Sequence, residues 1–324
     1  MKVEKVPIVN AVGHILLHNQ AGPDGRKAVK KGQLLTEQDI LTLESLGKTE
    51  VYIATLAEDD VDENTAARSV GELMVSEHIL LSSVTTGRAN LIAGSPGLFK
   101  TKPDALLELN DNAGITFATV PNNSLVQPKK IIGTVKIIPY GLPKDRLTAA
   151  TTIVKEHTPL VEIKPFVVAQ AVLITSGSMA AREKVVAGFT PVLRSRLAAY
   201  NTQLIEGPYV PEDEQEIGRA LRVAIASGAE MILIAGETSI MDADDITPRA
   251  IKAIGAEIVH YGVPVEPGNL LLLAYYNQIP IVGAPGCAKS KDYNVVDMVL
   301  PRLAAGEHLT RRDLIELGHG GYLQ

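Results

Sequence analysis

The stretch from Leu233 to Thr247, LIAGETSIMDADDIT, stops an apolar run at a glycine and follows it with small polar residues and three aspartates. Gly236 permits close backbone approach at a strand end. Glu237, Thr238 and Ser239 then expose N–H and hydroxyl groups of the kind that cradle an anion at a helix start. Asp242, Asp244 and Asp245 offer the carboxylate oxygens that Mg²⁺ takes, usually together with a phosphate. Asp242 and Asp244 are the two expected to take part in any chemistry. Three carboxylates beside one strand end repel one another unless a cation or a set of donors sits there. The plainer use of such residues is to cap the helix that starts near ITPRAI. For one aspartate capping is the better reading. For three after a strand-end glycine, a site is expected.

Two Pro-Gly turns follow. VEPGNLLLL contains Pro267, Gly268 and Asn269; VGAPGCAKSKDYN contains Pro285, Gly286, Cys287, Lys289, Ser290 and Lys291. Backbone turns with one or two ammonium groups make an anion-binding wall, although either alone reads as an ordinary turn. A third turn, Ser176-Gly177 in LITSGS, also ends an apolar run. Cys287 is the single cysteine. With no histidine base in evidence it is expected to pack rather than attack. LRSR, Leu193–Arg196, reads as a solvated helix face. GRANLIAGSPGL, Gly87–Leu98, is glycine-rich but lacks the phosphate-loop lysine and the dinucleotide spacing. His319 is expected in a flexible or docking tail.

The elements that must position these residues alternate from about residue 163 onward. FVVAQAVLITSG, TQLIEGPYV, EMILIAG and LLLLAYYNQIPIVGAPG read as strands. KVVAGFTPVLRSRLAAYN, EDEQEIGRALRVAIASG and DITPRAIKAIG read as helices, the second with acidic residues at its start and a glycine after its end. This alternation predicts an α/β fold with a doubly wound, mostly parallel sheet, in which ligands bind beyond the carboxyl ends of the strands. TSGS, AGETS and APGC all fall at such ends, which would assemble one crevice from distant segments. Residues 1–145 read as a smaller α+β domain, with a helix over TEQDILTLESLG capped by Thr36 and stopped by Gly47. Residues 146–162 read as a linker, and 163–324 as the α/β domain.

The chain has 324 residues, 46% of them hydrophobic, enough for about two domains with real cores. Aromatics are 4% with no tryptophan, which argues against stacking platforms for single-stranded nucleic acid. A net charge of −6 argues against a nucleic-acid footprint. One cysteine excludes an intramolecular disulfide framework and a cysteine zinc cluster. MKVEKVPIVNAVG lacks the apolar core of a signal peptide, and no apolar run reaches membrane-spanning length, so a cytoplasmic location is expected.

From Val167 onward the sequence resembles the molybdopterin-binding domain family of molybdenum cofactor biosynthesis proteins. LITSGS matches the family's Thr/Ser-Gly turn, and GETSIMDAD its Gly-Gly-x-Ser-x-Gly-Asp-x-Asp loop. EPGNL and APGCA match its two Pro-Gly turns, in the same order. VKKGQLLTEQDILTLESLGKTEVYI also resembles the N-terminal portion of the molybdenum-insertion branch. Glu237 stands where a glycine is usual, Met241 replaces another, Asn269 replaces a lysine, and Cys287-Ala288 replaces Asn-Pro. The segment APGCAKSKDYNVVDMVLPRLAAG, Ala284–Gly306, looks closer to a divergent subfamily whose members are often fused to a cytidylyltransferase-like domain.

The resemblance implies a molybdopterin or molybdenum-cofactor ligand, with Mg²⁺ at the aspartates. Ser176, Gly177, Gly236–Ser239, Pro267–Asn269, Pro285–Cys287, Lys289 and Ser290 would form the binding wall. It implies a homo-oligomer, a dimer in the insertion branch, with other cofactor biosynthesis proteins or a molybdoenzyme as partners. It leaves open a molybdotransferase-like step, a nucleotidyl-transfer step or binding alone. The alternative is a regulatory or adaptor protein that keeps the fold without the pterin.

Overall fold

A computed structural model describes residues Met1–Leu323. The chain divides into two units, Met1–Ile163 and Lys164–Gln324. No helix among the described residues is long and apolar enough to cross a membrane.

The first unit is α+β with antiparallel sheets. Strands Lys2–Pro7, Glu50–Thr55 and Ile15–Leu16 form one sheet, beside helix Glu37–Ser45. Thr36 caps that helix in a reciprocal box with Asp39, and Gly47 follows it with φ +68°. A second sheet joins Ile115–Thr119, Ile131–Ile137, Arg88–Ala93 and Ile79–Leu81. Gly87–Leu98 thus runs through the strand Arg88–Ala93 and into the next, Gly97–Thr101, rather than forming a phosphate loop.

The segment expected as a linker, 146–162, is ordered structure of this unit. Helix Lys144–Glu156 places Leu147, Ala150 and Val154 along one face, and all three join the unit's core. Strand Val161–Lys164 then pairs in a sheet with Gly97–Thr101. The i, i+3, i+7 apolar spacing inside a polar-looking segment is enough to bury a helix face.

The second unit has ten principal elements: β1 (Gln170–Ser176), α1 (Arg182–Ala198), β2 (Gln203–Val210), α2 (Glu214–Ala226), β3 (Met231–Gly236), α3 (Ile246–Ala253), β4 (Glu257–Tyr261), β5 (Leu272–Tyr276), β6 (Ile279–Gly283) and α4 (Val295–Ala304). The sheet order is β2-β1-β3-β6-β5-β4. β2, β1, β3 and β6 are mutually parallel, and β5 alone runs against its neighbours. The reversal arises because LLLLAYYNQIPIVG folds as a hairpin through Asn277, whose φ is +53°.

Alternate residues of the central strands feed two cores. Leu173, Leu233, Leu273 and Val282 pack on one face with Val185, Phe189 and Leu193 of α1 and Val299 of α4. Val172, Ile174, Ile232, Ile234 and Ile281 pack on the other with Ile217 and Leu221 of α2 and Ile251 of α3. Strands covered on both faces read as continuous apolar runs, which is why EMILIAG carries no alternation. This is the doubly wound α/β arrangement.

Candidate functional site

β1 and β3 end level with each other, Ser176 opposite Gly236. The Glu237 N–H donates to the Ser176 carbonyl at 2.8 Å, and the Gly177 N–H to the Val210 carbonyl at 3.1 Å. Three strand ends are thereby tied into one rim. Ser176 is buried, while Glu237 and Thr238 are exposed.

The polar groups of this rim are engaged by two carboxylates of the chain itself. The Ser178 N–H donates to Glu237 Oε2 at 2.8 Å. Hydrogen bonding from the Ser178 backbone holds the Glu237 carboxyl below its ordinary pKa. The Thr238 N–H and hydroxyl both donate to Glu212 Oε1, at 3.1 and 2.9 Å. The Tyr209 hydroxyl donates to the Ser178 carbonyl at 2.7 Å. Beside Tyr209 lies a cleft of about 380 Å³, lined by Thr175, Arg182, Val186, Thr190 and Gly207 among others. The Arg182 guanidinium sits 5.9 Å from the centre of the Tyr209 ring.

The β6 turn meets the β3 loop. A Cβ on Gly286 would lie 3.3 Å from Ser239 Oγ, so the two segments are in close contact and a side chain there would need the Ser239 hydroxyl to give by a few tenths of an ångström. The turn itself, Pro285 through Asn294, is anchored from below. Arg196 donates to both oxygens of Asp297 at 2.8 and 3.0 Å, to the Ala288 carbonyl at 3.0 Å and to the Asp292 carbonyl at 2.9 Å. Asn294 is fully buried, caps α4 and donates to the Cys287 carbonyl at 3.2 Å. Leu193 and Arg196 are therefore buried, contrary to the solvated face expected of LRSR. Leu193 faces the core, and Arg196 finds enough acceptors to offset burial of its charge.

The first Pro-Gly turn reaches the same place. The Val295 N–H donates to the Pro267 carbonyl at 3.3 Å, and a side chain on Gly268 would collide with Val295. Both Pro-Gly turns thus meet at the start of α4. Asn269 is exposed in a small cleft with Glu266, Gly321 and Tyr322. The tail that includes His319 docks here: the Glu266 N–H donates to Gly321 and the Leu323 N–H to Glu266, each at 2.8 Å.

Burial pushes the Cys287 thiol up from its ordinary pKa, the direction expected of a packed cysteine. Lys289 and Lys291 are exposed, and Lys289 runs its stem past Gly188 of α1. Ser290 donates to Asp292 at 2.8 Å.

The three aspartates do not converge. Asp245 caps α3, one oxygen accepting from Ile246 N–H at 2.7 Å and the other from Met241 N–H at 3.1 Å. Asp242 accepts from the Asp244 N–H at 2.8 Å, and Asp244 lies 3.7 Å from Lys252 Nζ. Among the described residues no group of three or more His, Cys, Asp or Glu side chains is arranged to hold a metal. Capping therefore accounts for Asp245, while the outer oxygens of Asp242 and Asp244 stay exposed.

Glu212, Tyr209, Asn294 and Asp297 were not singled out by sequence reasoning, and Arg196 entered only within LRSR, read as a solvated face. Glu212 lies two residues past the end of β2 and Glu237 one residue past β3, and a place just beyond a strand end was the one available signal for Glu212. Arg196 and Asp297 are 101 positions apart and carried none.

Residues 5–55 match a family model described as "Domain of unknown function". Residues 171–305 match one described as "Probable molybdopterin binding domain". No protein of curated function matches the sequence. Among solved structures the chain is similar to a molybdenum cofactor biosynthesis protein from Pyrococcus furiosus, at 14% identity over 94% of this chain and 64% of that one, TM-score 0.27. It is similar to a molybdopterin biosynthesis MoeA protein from Pyrococcus horikosii, at 12% identity over 97% and 75%, TM-score 0.32. It is also similar to the tungsten cofactor synthesizing protein MoaB from Pyrococcus furiosus, at 16% identity over 44% and 93%, TM-score 0.29. The chain spans 64% of the length of the first of these. The resemblance met in the strand-end motifs falls in the segment, residues 171–305, that matches the family model described as a probable molybdopterin binding domain.

Proposed function

We propose that the second unit binds a molybdopterin-type pterin phosphate and serves molybdenum cofactor biosynthesis. The observation that carries this reading is the meeting of the β1, β3 and β6 ends, inside the segment that matches the family. Ser176, Gly177 and Gly236–Ser239 form one wall of the crevice. Pro285–Cys287, Lys289 and Ser290, with Pro267–Asn269 behind them, form the other. The cleft beside Tyr209 offers a partly apolar slot of suitable size for a fused heterocycle.

Asp242 and Asp244 are the carboxylates left for Mg²⁺, since both oxygens of Asp245 are engaged. Two carboxylates with the ligand's phosphate fit the donor set of Mg²⁺, which keeps several waters. Asn269, a neutral residue where the family turn has lysine, takes a charge-assisted bond away from any developing negative charge. That bond is worth roughly 1.5–3 kcal/mol, or about one to two decades in rate. Binding or hand-over of the pterin, with weak metal insertion, is the activity proposed.

A second reading has a specific observation behind it. Glu237 and Glu212 already fill the rim's donors, as a regulatory or adaptor protein without ligand would allow. Purification followed by oxidation and pterin fluorescence separates the two: a fluorescent pterin at near-stoichiometric yield is expected, and its absence, together with no binding on titration, would leave the adaptor. Titration of Asp244→Asn with and without Mg²⁺ should show weaker, less metal-dependent binding. Identical curves would remove Mg²⁺ from the proposal.

A further inference from the structure

We infer that Glu237 and Glu212 are internal occupants of the crevice's anion positions, and that they select against small free anions in favour of a phosphate carried on a larger ligand. This rests on the proposed reading of the crevice as a phosphate site. Backbone N–H groups at strand ends have no partner in the sheet and are filled by an oxyanion when one is available. Here the Ser178 N–H is filled by Glu237, and the Thr238 N–H and hydroxyl by Glu212.

The two rim glycines make room for these carboxylates. A Cβ on Gly177 would fall 2.7 Å from Glu237 Cβ and 3.0 Å from Glu237 Oε2. A Cβ on Gly236 would fall 3.1 Å from Glu212 Oε1 and 2.8 Å from the Thr238 carbonyl. Glycines that in sequence suggest close approach of a ligand are here approached by the protein's own glutamates.

An incoming phosphate must either exchange with these carboxylates or bind beside them. Exchange returns the same number of hydrogen bonds, so a free anion gains little and meets two like charges. Lys184, whose charge acts on Glu237, and Arg182, over Tyr209, are the cations on α1 that could receive the displaced carboxylates. A ligand that also fills the adjoining cleft recovers the cost from buried apolar surface. The two glutamates thus act as a filter.

The test is calorimetric titration of the full chain with inorganic phosphate and with pyrophosphate. Glu237→Ala and Glu212→Ala should each bind phosphate about tenfold more tightly than the unmodified protein, the effect of removing one like charge and one competing acceptor. The double substitution should exceed either single one. Glu237→Gln, which keeps an acceptor for Ser178 but no charge and leaves the loop intact, should fall between. Phosphate affinity unchanged or reduced in Glu237→Gln and Glu212→Ala overturns the inference. Titrating the same proteins with molybdopterin keeps the two ideas apart. Tighter phosphate binding with no molybdopterin binding in any variant would sink only the proposed function. Molybdopterin binding with phosphate affinity unchanged across the variants would sink only the filter.

Discussion

The Arg196 guanidinium serves Asp297 and two loop carbonyls at once, with its side chain only 8% exposed. Removing one partner of a buried pair leaves the other charge uncompensated, which costs more than the pair contributes net. Arg196→Met should therefore destabilise the second unit by about 3 kcal/mol, read as a lower urea midpoint. Arg194→Ala, which breaks an exposed pair with Glu206, should cost under about 1 kcal/mol. Equal losses in the two would show that Arg196 does not anchor the 285–294 turn. Asp313 offers a pH test. Burial raises its pKa, but bonds from the Thr310 hydroxyl and N–H and from Arg302 outweigh this and hold it at about 2. A depressed carboxylate pKa stabilises the fold above the unfolded value of 3.8 and loses that contribution as pH falls through about 2. Asp313→Asn should accordingly lose stability at neutral pH and show a shallower decline between pH 4 and 2 than the unmodified protein. Parallel declines in denaturation midpoint would contradict this.

Among the elements, α3 depends on its first residue. It has only eight residues, and its N-cap Asp245 accepts from Ile246 at one oxygen and closes the loop onto Met241 with the other. Asp245→Ala should cost about 1 kcal/mol, the usual value of a lost N-cap, and raise the amide exchange rates of Ile246 and Met241. If Asp245 instead acts chiefly through Mg²⁺, the stability of the metal-free protein will not change. The helix Lys144–Glu156 shows the other way an element is hidden. Its charged and threonine-rich sequence masks a single apolar stripe, and burial of that stripe rather than propensity decides that it is helix.

At the scale of the molecule, the proposed assembly is a homodimer, as the resemblance implies. Sedimentation should give twice the chain mass of 34.6 kDa, and a single species at the chain mass over a wide concentration range would reject it. The second unit, with its own two-sided core, should retain cooperative unfolding when residues 164–324 are expressed alone. A fragment that binds dye like a molten state would show that its core is incomplete.

Much of the α/β unit was written in local patterns. Apolar runs broken by Ser176-Gly177, Gly236 and Pro285-Gly286 marked strands and their ends, because a strand covered on both faces must be apolar throughout and must stop at a turn residue. The rule that ligands gather beyond those ends makes the same turns the expected crevice. Side-chain partners were not legible. Whether an aspartate caps a helix or faces a cation depends on where Met241, Ile246 and Lys252 lie around it. Whether Arg196 meets water or Asp297 depends on a contact across 101 residues. Nor does a sequence state that Glu237 accepts from the Ser178 amide and Glu212 from the Thr238 amide. Hydrogen bonds form over about 3 Å, and only the tertiary structure brings residues from different strand ends within that distance.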